Sequence, residues 1–132
     1  MVSDCSQSSS LVAGGLYNPI VLKRFTLAWN ADNQLETAMC FYKQLETKLD
    51  VKLDCKIPIY RKFASIQEQN LWFEAADKPK LGKFLSVSVI KNTNESINAP
   101  FGLGQVLYTG RIDTKTLVDA YLTFLVKSGN FI

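Results

Sequence analysis

The chain has 132 residues, with 15 Lys+Arg against 12 Asp+Glu and 47% hydrophobic residues. Those values suit a single globular domain with a core of modest size. Histidine is absent, and the three cysteines, Cys5, Cys40 and Cys55, show no CxxC spacing. Ser-His-Asp and Cys-His catalysis are therefore excluded, as are zinc sites built on histidine or on four cysteines.

The net charge of +3 is small and dispersed. Lysines and acids alternate through residues 43–56, which reads as a solvated face, so nucleic acid is not an expected partner. Serines, glycines and a proline interrupt the longest uncharged stretch, Cys5 to Leu22, so no membrane association is expected. The expectation is a cytoplasmic protein with free thiols.

In chain order, Asp4 and the cluster Ser6-Gln7-Ser8-Ser9-Ser10 lead into Leu11-Val12-Ala13-Gly14-Gly15-Leu16-Tyr17-Asn18-Pro19. Adjacent glycines and Asn-Pro predict a shaped loop. Leu35, Met39, Tyr42, Leu45 and Leu49 recur at helical spacing and predict a helix over about 31–49, started by Asn30 or Asp32. Val51 to Ile57 alternates apolar and charged residues, which predicts a half-buried strand. Pro58 breaks it before Ile59 to Phe63 resumes.

Ser65 and Glu68 form a capping-box pattern that opens a helix to about Ala76, with Ile66, Gln69 or Asn70, and Phe73 inward. Phe84–Ile90 and Gln105–Thr109 read as strands, separated by a polar loop over 91–99. Gly102-Leu103-Gly104-Gln105-Val106-Leu107 begins like a dinucleotide fingerprint, but Leu107 stands where the third glycine belongs. A bend entering a strand accounts for it. Asp113 caps a last helix over about 114–127, with Leu117, Tyr121, Phe124 and Leu125 on one face and Gly129 beyond its end. The resulting fold class is α+β, a mostly antiparallel sheet flanked by about three helices.

Chemistry-bearing clusters are few. Glu36, Glu46, Asp50, Glu68, Asp77 and Asp119 read as helix-surface or capping residues. Cys40 and Cys55 read as small buried hydrophobes. The N-terminal stretch is the informative one. An acid can accept ribose hydroxyl protons, serines can bond phosphate or sugar, and bare glycine backbone admits a flat ring. The same composition also suits a plain loop.

The segment from Asp4 to Pro19 resembles the second characteristic block of the D-amino-acid-oxidase-like family of FAD-dependent oxidoreductases. Phe25-Thr26-Leu27-Ala28-Trp29, Ile57-Pro58-Ile59-Tyr60-Arg61-Lys62-Phe63, Glu68-Gln69-Asn70-Leu71-Trp72 and Gly110-Arg111-Ile112-Asp113 resemble its bacterial, glycine-oxidase-like branch. The resemblance implies a partial FAD-contacting segment over 1–30 and a substrate-binding region over 31–132. It implies that Asp4 holds the adenosine ribose and that Ser8 and Ser9 lie near adenosine and pyrophosphate. It also implies that Ala13, Gly14, Gly15 and Leu16 lie against the flavin. Tyr60 and Arg61 become substrate candidates, although a strand edge with a snorkelling arginine explains them more simply.

No GxGxxG precedes Asp4, and the family's C-terminal flavin block is absent. The expectation is thus an internal segment of an enzyme that oxidises an amine or amino acid, binding FAD weakly or not at all by itself. The alternative is a non-catalytic ligand-binding or interaction module that self-associates or needs a partner chain.

Overall fold

The computed structural model describes residues 8–130, so Asp4 and Cys5 lie outside the described residues. The fold is α+β, as expected. A 3-10 turn over Ser9–Leu11 is followed by β1 (Leu16–Tyr17), β2 (Ile20–Val21), β3 (Thr26–Leu27) and α1 (Ala31–Leu49). Then come β4 (Asp54–Lys56), β5 (Ile59–Lys62), α2 (Ile66–Ala76), β6 (Leu103–Val106), β7 (Gly110–Ile112) and α3 (Thr114–Lys127). All pairing is antiparallel: a three-stranded sheet in the order β1-β7-β4, and the pairs β2-β3 and β5-β6.

The core sits where α2 crosses β5 and β6. Phe63, Trp72, Leu85 and Val106 are fully buried there. Trp72 meets Phe25 and Phe63 edge-on, with ring centroids 5.4 and 5.6 Å away, a favoured aromatic geometry. Gly104 passes beneath. A Cβ there would lie 2.6 Å from Trp72 and 2.7 Å from Phe63, so this glycine of the false fingerprint serves packing.

The inward face of α2 differs from the expected one. Phe73 packs against the core as expected, but Ile66 is exposed and Trp72, Ala75 and Ala76 are the buried residues, because the two phenylalanine rings draw the helix in at Trp72. Gln69 does turn inward, donating to the Phe101 carbonyl at 3.0 Å. The Ser65 cap forms, accepting from Glu68 N at 3.2 Å. Its reciprocal bond is shifted by one residue: Glu68 Oε2 accepts from Ala64 N at 2.6 Å.

Three expected strands are shortened or broken. Residues 84–90 pair with β6 as two isolated bridges, Leu85–Val106 and Ile90–Leu103, and not as a continuous strand. The Ser86 carbonyl accepts from Trp72 Nε1 at 2.9 Å, and Ser86 Oγ serves Gln105 N at 3.0 Å in its place. The ladder therefore bows outward at Val87. The strand over 51–57 shrinks to β4. Glu46 Oε1 takes the N–H groups of Leu53 and Asp54 at 2.6 and 2.9 Å, tying that backbone to the end of α1. The strand expected over 105–109 ends at Val106, two residues before Tyr108 turns to a φ of 57°.

The helices α1 and α3 occupy their expected spans. Their apolar stripes are half-buried, with Ala31 the one fully covered residue of the two. Asn30 precedes α1 in a left-handed conformation and its side chain accepts from Asn33 rather than capping the backbone. Asp113 caps α3 as expected, accepting from Thr116 N at 3.1 Å. Cys40 and Cys55 are exposed, not buried. Cys55 falls on the outer side of β4, and Cys40 lies off the stripe that α1 turns inward. No described helix is long and apolar enough to cross a membrane.

Candidate functional site

The loop that carries the flavin expectation is anchored by its carbonyls. The Ala13 carbonyl accepts from Thr114 Oγ1 at 3.2 Å, the Gly14 carbonyl from Arg111 Nε at 3.1 Å, and the Gly15 carbonyl from Ile112 N at 2.9 Å. These bonds hold the loop along β7 and the start of α3. Their N–H groups differ: none of the three donates to another described residue.

The two glycines are also unlike. Gly15 has φ +64°, and a Cβ on it would collide with the Ile112 carbonyl. Both conformation and close approach require glycine there. Gly14 is outside the left-handed region, exposed, and a Cβ on it would meet nothing within 4 Å. Leu16 follows in β1 opposite Arg111 and is exposed. Ser8 and Ser9 form the 3-10 turn through their carbonyls, which accept from Leu11 N and Val12 N. Ser8 makes no capping bond with its side chain.

Tyr60 and Arg61 lie elsewhere, on β5, which pairs with β6 rather than with the β1-β7-β4 sheet. As strand neighbours they point to opposite faces. Tyr60 is exposed, opposite Gln105. Arg61 gives Nε and Nη2 to Glu68 Oε1. Burial raises the Glu68 carboxyl, but the Ala64 N–H and the Arg61 guanidinium outweigh it and hold it below its ordinary value. Arg61 thus fastens β5 to the first turn of α2. The structure does not bring it together with Ala13–Leu16.

A second cluster was not read from the sequence. Tyr17 Oη donates to Asp54 Oδ1 at 2.8 Å, and Lys56 Nζ donates to Tyr17 Oη at 2.8 Å. Lys56 also pairs with Asp54 Oδ2 at 2.7 Å and reaches Met39 Sδ at 3.6 Å. Desolvation raises the Tyr17 hydroxyl pKa. Burial opposes the charge on Asp54 and Lys56, but their hydrogen bonds to each other and to Tyr17 win. Asp54 is held below the usual carboxylate value and Lys56 above the usual ammonium value. The pair stays ionised and Tyr17 stays a neutral donor. Residues 43–56 read as a solvated face in the sequence, and nothing in that pattern pointed to Tyr17, 37 positions upstream of Asp54.

Tyr17 and Lys56 of this network form one wall of a cleft of about 310 Å³ between α1, β1, β4 and residues 83–84. Asp32, Leu35, Glu36 and Met39 of α1 line it, with Lys83, Phe84 and Tyr108 opposite. Lys83 forms an ion pair with Asp32 and lies 4.9 Å from the centre of the Phe84 ring. Among the described residues, no group of three or more acids or cysteines could hold a metal ion.

No family model matches the chain, and no solved structure matches it.

Proposed function

We propose that this chain forms part of the flavin cradle and the substrate-binding region of an FAD-dependent oxidoreductase acting on an amine or amino acid. The observation that carries this reading is the backbone at Ala13–Gly15. Its carbonyls are bonded behind the loop, while its three consecutive N–H groups have no acceptor among the described residues. A flavin ring is flat and carries acceptor atoms along its edge. It needs close backbone approach and fixed donors, and Gly14, bare and exposed, offers both.

FAD, when bound, supplies the hydride acceptor, and protein supplies position and electrostatics. That division of labour needs no histidine. In this chain the positioning falls to Gly15, which locks the loop to β7, and to the Tyr17–Asp54–Lys56 network, which fixes β1 immediately after the loop. Arg61, committed to Glu68, shapes the β5–α2 junction.

FAD titrated into the protein, followed by flavin fluorescence, is expected to give a weak but saturable change. Gly14→Val, which the surrounding space tolerates, is expected to abolish it. No saturable change, or unaltered binding by Gly14→Val, removes the reading.

A second reading, a non-catalytic interaction module, draws support from Val12 and Trp29, 87% and 83% exposed. Such apolar residues at a surface suit a partner chain or a second copy. A stable monomer in light scattering argues against self-association.

A further inference from the structure

A groove of about 540 Å³ runs between the β2–β3 turn and the turn that follows α2, lined by residues 24–27 and 78–81. It shares no lining residue with the cleft beside α1 or with the flavin loop. Its floor is apolar. Phe25 and Leu27 are half-buried against the core, and Leu81 is buried. Arg24, Lys78 and Lys80 stand exposed around it.

Both walls are fixed by the fold. Arg24 N donates to the Val21 carbonyl at 3.0 Å, and Leu81 N and Gly82 N donate to the Lys78 carbonyl at 2.9 Å. Phe25 holds a φ of 48°, uncommon for a bulky residue, and its ring is kept against Trp72.

Charge sets this groove apart, because no carboxylate lines it. Arg24 and Lys80 form no ion pair with a described residue, and Lys78 meets only Glu74, at 3.9 Å. Counting the flanking Lys23, Glu74 and Asp77 as well, the cations outnumber the acids.

We propose that this groove docks an acidic segment of a partner protein. One apolar side chain of the segment sits on Phe25, Leu27 and Leu81, and its carboxylates meet Arg24, Lys78 and Lys80. Apolar floor and cationic rim together select that chemistry. A single-stranded nucleic acid needs a row of exposed aromatic faces for its bases, and the half-buried Phe25 is the one aromatic residue here. A lone phosphate would leave the floor in water. The inference does not depend on the flavin reading, since no flavin enters its test.

The test is fluorescence anisotropy with a labelled peptide, Glu-Asp-Leu-Phe-Glu-Asp. Saturable binding is expected, weakened about fivefold or more when Leu-Phe is replaced by Ser-Ser. Arg24→Glu and Lys80→Glu, at exposed positions, are each expected to weaken it about fivefold or more. Lys127→Glu on α3 makes the same change in net charge outside the groove, and should leave affinity within about twofold. No saturable binding, equal binding of the Ser-Ser peptide, or equal weakening by Lys127→Glu overturns the proposal. So does tighter binding of a thymidine oligonucleotide or of phosphatidylserine vesicles than of the peptide.

Discussion

The α2–β5–β6 region and the β1–β7–β4 sheet with its two long helices bury their apolar residues to different extents. In the first, Trp72, Phe63, Leu85 and Val106 are fully enclosed by neighbours from α2, β5, β6 and residues 81–85. In the second, Leu53 and Ile112 are buried beneath the sheet, while α3 has no buried residue and α1 only Ala31. The first region closes on aromatic rings, each of which buries a large area. The second presents half-covered stripes and an anchored loop whose N–H groups have no acceptor among the described residues.

The largest effect that tests this division is at Trp72. Trp72→Ala removes a fully buried indole and leaves the Ser86 carbonyl without its donor. A loss of about 3–5 kcal/mol is expected, a large share of the total stability of a domain of this size. Urea denaturation measures it, and a loss below about 1 kcal/mol would mean that the core lies elsewhere.

Next in size is the polar network that stitches the second region. Asp54→Asn breaks the ion pair with Lys56, and a cost of about 1 kcal/mol is expected at neutral pH. Because the folded-state pKa of Asp54 is lowered, its contribution is complete above the ordinary value of 3.8 and disappears as pH falls through the folded value. The gap between wild type and variant should therefore close on acidification. A pH series of denaturant midpoints checks this, and a gap that stays constant below about pH 3 contradicts the network's role. The smallest effect is expected on α3. Tyr121→Ser and Val126→Ser, at residues 43% and 60% exposed, should each change stability by less than about 0.5 kcal/mol.

The same contrast explains what could be read in advance. The spans of α1, α2 and α3 follow from local periodicity and from Asp113 and Ser65 as caps, so they were legible. The burial of Trp72 was not, since the face that α2 turns inward is decided by Phe25 and Phe63, far away in the chain. The broken strand at Ser86 depends on a carbonyl diverted to that same indole. The shortened β4 depends on Glu46 reaching across a turn. Cys55 alternates like a core residue yet lies on the outer side of an edge strand. For the candidate site, Gly14 and Gly15 stood out in the sequence, whereas Tyr17, Asp54 and Lys56 are joined only by the pairing of β1 and β4 with β7. Tyr60 and Arg61, adjacent in sequence, were separated by strand alternation.

The most direct measurement is an amide chemical-shift map of the protein with and without FAD. The account predicts that the N–H signals of Ala13, Gly14, Gly15 and Leu16 move together and saturate, while those of β5, β6 and α2 stay in place. Shifts centred on Tyr60 and Arg61, or none at Ala13–Leu16, would contradict it.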